Sequence, residues 1–332
     1  YPIYGRSTYN MHPDGPGPSL SSRLRPTLTI RPAYLTFVDA RGSGLRHFSA
    51  DSHLTDWLEE KGIDFDVVTD EDLDDEGVSV IEGYEVVLTG SHPEYHTKGT
   101  LDALETYTAN GGRLVYLGGN GFYWRIARSQ AVPGTIEVRR AETGIRAWAA
   151  EPGESYNALD GQYGGLWRRN GRPPQRLVGI GFSAQGLFEG SYYRILPDAR
   201  RPEVAWMFEG VTEEKLGDYG LSGGGAAGFE LDRADTELGT PEGALILARS
   251  ENHSDSFVMV PEEFLSHLAT TAGEAHHALI RGEIVYFKRP DQGGEVLSVG
   301  SICFCGSLSH NNYQNGISRF LENVVRRFGK LD

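Results

Sequence analysis

The strongest constraint on the fold of this chain is an apolar, β-branched run that stops at a glycine. A short connection then leads into a helix. Residues 84–89 have the composition of a buried strand, and residues 97–107 have the apolar spacing of a helix. Side chains at the carboxyl end of such a strand line the crevice in which open α/β sheets bind ligands. We therefore expect His92 and Glu94, in the connection, to face a site. The alternative is that Glu94 caps the helix and His92 makes a loop hydrogen bond.

The alternation of strand and helix continues along the chain. Further strands are predicted at residues 34–38, 65–68, 113–117 and 295–305, and further helices at residues 49–61 and 317–328. This pattern indicates an α/β fold with a mostly parallel sheet flanked by helices. In such a sheet, the loop that follows residues 113–117 should lie beside the loop that carries His92.

Composition divides the chain into an arm and a body. Residues 1–33 are rich in Gly, Pro, Ser and Tyr, so they are predicted to form an extended arm. Residues 34–332 are predicted to form one α/β catalytic domain whose core comprises residues 34–130 and 291–332. Residues 131–290 carry short β-like runs and turn signals, which predict a long irregular or β-rich excursion. The abrupt start, without methionine or signal peptide, indicates the C-terminal part of a longer chain.

Charge and cysteine content narrow the classes of partner. The formal charge of −15 and the scattered arginines argue against nucleic acid. Every apolar stretch is shorter than a membrane span, so a membrane partner is not expected. The two cysteines, Cys303 and Cys305, lie in an apolar run, which favours burial and a reducing, cytoplasmic setting.

The glycine-rich loop after residues 113–117 offers a polar side chain, Asn120. Residues 118–121 match neither of the glycine patterns that bind nucleotides. A serine or cysteine nucleophile at a strand-to-helix turn is also absent from the sequence, which disfavours covalent acyl transfer. Asn120 can bind a carbonyl or a hydroxyl, although a tight turn with a left-handed asparagine is the alternative.

Two sets of residues are candidates for metal binding. His92, Glu94 and His96 alternate, so an extended segment would place all three on one face as zinc ligands, although Pro93 disfavours strict extension. A tyrosine such as Tyr9 in the arm, combined with a carboxylate, would instead suit a hard ferric ion. The residues alone leave this choice open.

Several longer motifs carry a resemblance to a known family. They are residues 7–10 (STYN), 21–26 (SSRLRP), 39–48 (DARGSGLRHF), 88–97 (LTGSHPEYHT), 117–124 (LGGNGFYW) and 228–233 (GFELDR). Together they resemble the C-terminal catalytic region of N,N-dimethylformamidase large (β-like) subunits. The resemblance implies a sheet like that of class I glutamine amidotransferases. It also implies hydrolysis of N-substituted formamides at a mononuclear Fe³⁺ held by two tyrosines and one glutamate.

The resemblance also assigns residues. Glu94 matches the carboxylate ligand and Tyr9 one phenolate ligand, while the second tyrosine lies upstream, in a segment this chain does not contain. His92, Asn120 and Glu230 match residues that surround the iron. Glu230 is then the candidate general base, although an ion pair with Arg233 at helical spacing is the alternative.

The remaining expectations concern substrate and partners. Phe122, Trp124 and Phe264 are candidates for an apolar wall around the dimethylamide group, and core packing explains each equally well. The resemblance implies a small helical companion subunit and further large subunits. Two other functions stay open: a non-catalytic binding domain on the same scaffold, and a zinc hydrolase that uses His92, Glu94 and His96.

Overall fold

The computed structural model describes residues 8–9, 17–25, 48–140, 154–260, 278–290 and 293–331. The described strands are β1 Leu20–Ser22, β2 Val86–Leu88, β3 Tyr95–His96, β4 Arg113–Tyr116, β5 Trp124–Ala127, β6 Thr135–Val138, β7 Gly181–Ile195, β8 Lys215–Leu216, β9 Ala227–Arg233, β10 Leu245–Glu251, β11 Val258–Met259, β12 Glu283–Lys288 and β13 Glu295–Ser298. The described α-helices are α1 Phe48–Glu60, α2 Asp70–Glu76, α3 Lys98–Ala109, α4 Pro174–Val178 and α5 Gly316–Phe328.

The strands form two sheets. The larger sheet has the order β11-β7-β10-β12-β13-β4-β2, and β8 and β9 also pair with β7. The smaller sheet has the order β1-β6-β5-β3. In the larger sheet β4 lies between β2 and β13 and is parallel to both. Val115 of β4 is opposite Leu88 on one side and Leu297 on the other.

The predicted fold class is wrong: the sheets are mixed and mostly antiparallel, which does not fit a parallel, glutamine amidotransferase-like sheet. Within the described residues, parallel pairing is limited to β2 with β4, β13 with β4, and β3 with β5. The reason lies in strands β7 to β12, which are joined to the larger sheet as antiparallel partners. Antiparallel strands need no helical crossover, so βαβ alternation holds for a small part of the sheet.

Individual elements agree with the sequence prediction to different degrees. The structure has helices α1, α3 and α5 and strand β4 within one or two residues of their predicted bounds. The strand prediction for residues 65–68 is wrong, because these residues are irregular. The predicted strand at residues 295–305 ends at Ser298, and a 3₁₀ turn follows at Phe304–Ser307. The predicted strand at residues 34–38 lies outside the described residues.

Helix α5 closes the core of the larger sheet. Its buried face carries six apolar side chains, Ile317, Phe320, Leu321, Val324, Val325 and Phe328. They pack in one cluster with Leu297 of β13 and Trp57 of α1. The Trp57 indole also donates a hydrogen bond to Ser318 Oγ at 2.9 Å, which fixes α1 against α5. In the described ranges, none of the helices is long and apolar enough to cross a membrane.

Candidate active site

Two loops that follow parallel strands meet at one end of the larger sheet, as the sequence predicts. β2 and β4 are neighbours, so the loop that carries His92 lies against the loop that carries Asn120. The backbones approach so closely that a Cβ on Gly118 would lie 2.4 Å from the carbonyl oxygen of Ser91. Strand β9 passes behind the second loop, because a Cβ on Gly119 would lie 2.6 Å from the carbonyl oxygen of Glu230. Glycine is therefore required at both positions by contact with backbone.

The structure brings together four of the side chains that the sequence predicts for a site. His92 Nε2 lies 3.0 Å from Glu230 Oε2 and 3.3 Å from Glu94 Oε2. Asn120 Nδ2 donates to Glu230 Oε2 at 3.0 Å and lies 3.3 Å from His92 Nε2. All four side chains are at least nine-tenths buried. Low exposure strengthens each of these polar contacts, because water does not screen them.

Asp51 of α1 binds the loop that carries His92. Its Oδ1 atom accepts hydrogen bonds from the Ser91 backbone N–H at 2.6 Å and from Ser91 Oγ at 2.8 Å. Burial raises the pKa of this carboxyl, while the two bonds from Ser91 and the nearby His92 lower it. The sequence analysis missed Asp51, because an acidic residue in the first turn of a helix is ordinarily explained by the helix dipole.

Tyr9 of the arm reaches the same region. Its hydroxyl forms a hydrogen bond with the Tyr95 hydroxyl, and the residue as a whole keeps 45% of its surface exposed. Burial of the hydroxyl end raises the pKa of Tyr9, and the negative charge of Glu94 raises it further. The guanidinium of Arg140 lowers the same pKa. Tyr9 is therefore close enough to Glu94 for their charges to interact.

Arg140 is a second residue that the sequence analysis missed. Its side chain is buried, with 2% exposure, and its Nη2 donates to the Tyr95 hydroxyl at 2.7 Å. The guanidinium carbon lies 4.8 Å from the ring centre of Tyr9 and 5.1 Å from that of Trp124. These cation–π contacts hold the tyrosines and Trp124 in one cluster. Local pattern gave no signal for Arg140, because its partners lie far away in the chain.

His96 does not join the other polar groups. Its Nε2 donates to the Pro93 carbonyl oxygen at 3.0 Å, and its Nδ1 lies 3.0 Å from Thr100 Oγ1. Burial lowers the pKa of this imidazole, which favours the neutral ring. Within the described part of the chain, no group of three or more His, Cys, Asp or Glu side chains is arranged to hold a metal ion. His96 is therefore not available to complete the alternating zinc set.

The alternative for Glu230, an ion pair with Arg233 at helical spacing, is wrong because the two residues are not on a helix. Glu230 and Arg233 lie on strand β9, where residues three apart point to opposite faces. Arg233 Nη1 pairs with Asp235 Oδ2 at 3.0 Å. Glu230 instead faces His92 and Asn120.

The aromatic residues proposed for a substrate wall are placed differently from one another. Phe122 is buried against His96, with ring centres 4.7 Å apart, and it packs in the cluster that includes Leu101 and Leu104 of α3. Trp124, on β5, lies beside Arg140. Phe264 lies outside the described residues. The assignment of the three to a substrate pocket stays a prediction.

The donor chemistry of this region fits a hard cation. Glu94 and Glu230 both approach His92 Nε2, so the site places oxygens of two carboxylates next to one imidazole nitrogen. Asn120 Oδ1 is buried and has no hydrogen-bond partner among the described residues. The phenol of Tyr9 lies within electrostatic reach of both carboxylates. Carboxylate and phenol oxygens are ligands that a ferric ion accepts, so Glu94 and Tyr9 are suited to hold one.

The fold and the polar cluster define a protein that carries two buried carboxylates, an imidazole and an amide at one end of a mixed sheet. Residues 1–315 match the family described as N,N-dimethylformamidase beta subunit-like, C-terminal. The N,N-dimethylformamidase beta subunits of Paracoccus aminophilus and of an Alcaligenes species are each 42% identical to the chain over 330 residues. These matches cover 98% of the chain and 42% of each relative. The chain belongs to this family, which confirms the resemblance carried by the sequence motifs.

Proposed function

We propose that this chain forms the catalytic part of an iron-dependent amidohydrolase that cleaves N,N-dimethylformamide and related small N-substituted amides to formate and an amine. The family supports the reaction class, since both relatives are named as dimethylformamidase subunits. The observation that carries the proposal is the contact of His92 Nε2 with both Glu94 and Glu230, beside the Asn120 amide. This set combines Glu94, a proposed cation ligand, with Glu230, the proposed base that transfers a proton.

Each residue has a distinct role in the proposed reaction. Glu94 and Tyr9, with a donor from outside this chain, would hold a ferric ion, which would supply Lewis acidity. Glu230 accepts a proton from the attacking water and delivers it to the departing amine nitrogen. Asn120 Nδ2 has a second hydrogen with which it donates to the oxyanion that develops on the formyl oxygen.

His92 keeps the two carboxylates in position. Because the imidazole Nε2 contacts both carboxylates, it keeps Glu94, the proposed ligand, at a fixed distance from Glu230, the proposed base. Asn120 Oδ1, which has no described partner, is available to accept a hydrogen bond from the attacking water. Water can thus be oriented before its proton moves to Glu230.

The proposal extends to assembly and location. The chain spans 42% of the length of the two relatives, which are named as beta subunits. We propose that the whole protein assembles with a small helical companion subunit and with further large subunits, and that it works in the cytoplasm. A missing iron donor and missing contact surfaces then come from sequence outside this chain.

The test uses the full-length protein with its companion subunit. Formation of formate and dimethylamine from N,N-dimethylformamide is followed by proton NMR. We expect Glu230→Gln to lower kcat by roughly 10²-fold or more, the usual contribution of a general base. Glu237→Gln makes the same chemical change at an exposed residue and should leave kcat unchanged.

Other outcomes point to the competing functions. A wild-type complex that holds no tightly bound metal and releases no amine would support a non-catalytic binding domain. Zinc in place of iron would support a zinc hydrolase. The hydrogen bonds that occupy both ring nitrogens of His96 disfavour that second alternative.

A further inference from the structure

A fully buried carboxylate lies beneath the Asn120 loop and is absent from the proposed reaction. Asp232 Oδ1 accepts a hydrogen bond from the Asn120 backbone N–H at 2.7 Å, and Asp232 is completely buried. Its other oxygen, Oδ2, accepts from the Tyr116 hydroxyl at 2.8 Å. The Tyr116 hydroxyl in turn accepts from the Gly121 backbone N–H at 2.7 Å. One carboxylate and one phenol therefore bind two consecutive amides of the loop.

These bonds stabilise an unfavourable backbone conformation. Asn120 has a φ of 52° and Phe122 a φ of 54°, in the left-handed region that non-glycine residues rarely adopt. Such a conformation persists when surrounding contacts determine it. Gly121, between them, is packed so tightly that a Cβ would lie 2.6 Å from the Tyr116 oxygen.

Strand β9 binds both the backbone amide and the side-chain amide of Asn120. Glu230 and Asp232 are two positions apart, so their side chains lie on the same face of the strand. Glu230 Oε2 accepts from the side-chain amide at 3.0 Å, and Asp232 Oδ1 accepts from the backbone amide. The direction of the Asn120 amide thus depends on β9 through two separate bonds.

We propose that Asp232 and Tyr116 are positioning residues that hold the Asn120 amide toward the reacting carbonyl and Glu230. The inference rests on the proposed function, since it concerns the same site. It adds two residues that touch no substrate and act through Asn120. Misplacement of a catalytic group by about 1 Å lowers a rate by up to roughly 10²-fold, so removal of this support should be measurable.

The kinetic test compares two buried tyrosines in the assembled full-length enzyme. Tyr116→Phe removes the hydroxyl between Asp232 and Gly121, whereas Tyr193→Phe removes a buried hydroxyl that donates to Val299 O at 2.7 Å. We expect Tyr116→Phe to lower kcat by roughly 10-fold or more with little change in KM, and Tyr193→Phe to leave kcat nearly unchanged. Thermal unfolding of both variants shows whether stability falls equally.

A double variant separates positioning from general stability. In an Asn120→Ala background, Tyr116→Phe should cause no further loss of kcat, because the group it positions is already absent. Equal losses in the two backgrounds would overturn the inference. Asp232→Asn retains an acceptor for the Asn120 N–H, so we expect a smaller loss than from Asp232→Ala.

A structural measurement distinguishes failure of the inference from failure of the proposed function. Crystal structures of the wild-type and Tyr116→Phe assemblies give the Asn120 φ and the distance from its Nδ2 to Glu230 Oε2. We expect both to change in the variant. Unchanged values would overturn the inference whether or not the wild type hydrolyses amides. If instead Asn120 is displaced in Tyr116→Phe but the wild type is inactive, the proposed reaction alone is overturned.

Discussion

His92 Nε2 and Glu230 Oε2 lie 3.0 Å apart, although they come from differently built parts of the larger sheet. His92 follows β2, which pairs in parallel with β4. Glu230 lies on β9, which pairs antiparallel with β7. The candidate site therefore forms where the parallel and antiparallel parts of the fold meet, and the antiparallel part that contradicts the predicted fold class provides the proposed base.

Metal content should distinguish the ligand from the base. Glu94→Ala removes a proposed ligand, so the purified complex should lose iron and activity together. Glu230→Gln keeps a side chain that can still hydrogen-bond to Asn120, so it should retain iron while kcat falls by roughly 10²-fold. Elemental analysis and kcat are measured on the same preparations. Equal loss of iron in both variants would show that the two roles are confused.

The visible spectrum tests Tyr9 as a ligand. A phenolate bound to ferric iron gives a charge-transfer band, which Tyr9→Phe should weaken or abolish. Tyr156→Phe alters another exposed tyrosine, whose ring contacts Tyr163, and should leave the band unchanged. An iron-loaded Tyr9→Phe complex with the wild-type spectrum would exclude Tyr9 from the coordination sphere.

The loops of the site could be predicted because their signals are local. A strand, a break at Gly90 or Gly118, and a polar side chain are all read from a few adjacent residues, and β2 and β4 pair as expected. His92, Glu94 and Asn120 therefore converge where the sequence indicates. The roles of these residues came from motif resemblance, and they stay predictions.

The rest of the site depends on contacts that no local pattern reveals. Arg140 reaches Tyr9 and Tyr95, and Asp232 reaches Asn120, across long stretches of chain. The fold prediction failed for a related reason. Short strand signals within residues 131–290 do not reveal that β12 pairs with β13, because this pairing joins segments whose partners are not set by local sequence. Strand composition does not specify partners, because side-chain packing decides which strands pair.

Isolation of this chain tests the need for assembly. The chain spans 42% of each relative, and the proposed function places one iron donor and the companion subunit outside it. We expect the purified 332-residue chain, supplied with ferric iron, to show less than roughly 1% of the kcat of the full complex, consistent with the loss of a group essential for catalysis. Restoration of full turnover without any added sequence or subunit would contradict this expectation.

The stability of the protein should depend on the ionisation of Asp232. Burial raises the pKa of this carboxyl from its ordinary 3.8 to about 7, and the charge of Glu230 also raises it. The bonds from Asn120 N–H and Tyr116, together with the charge of His92, lower it. Between pH 4 and 7 the folded protein therefore holds a proton that the unfolded chain has released, so the free energy of unfolding should fall as pH rises.

Asp232→Asn isolates this contribution, because the amide does not titrate. The difference in unfolding free energy, wild type minus variant, is measured by urea unfolding of the full-length protein at several pH values. We expect this difference to decrease by up to about 4 kcal/mol between pH 4 and 7, the size that the linkage of one strongly shifted carboxyl allows. A difference that stays constant or rises across this range would show that Asp232 is already ionised at pH 4 in the folded protein.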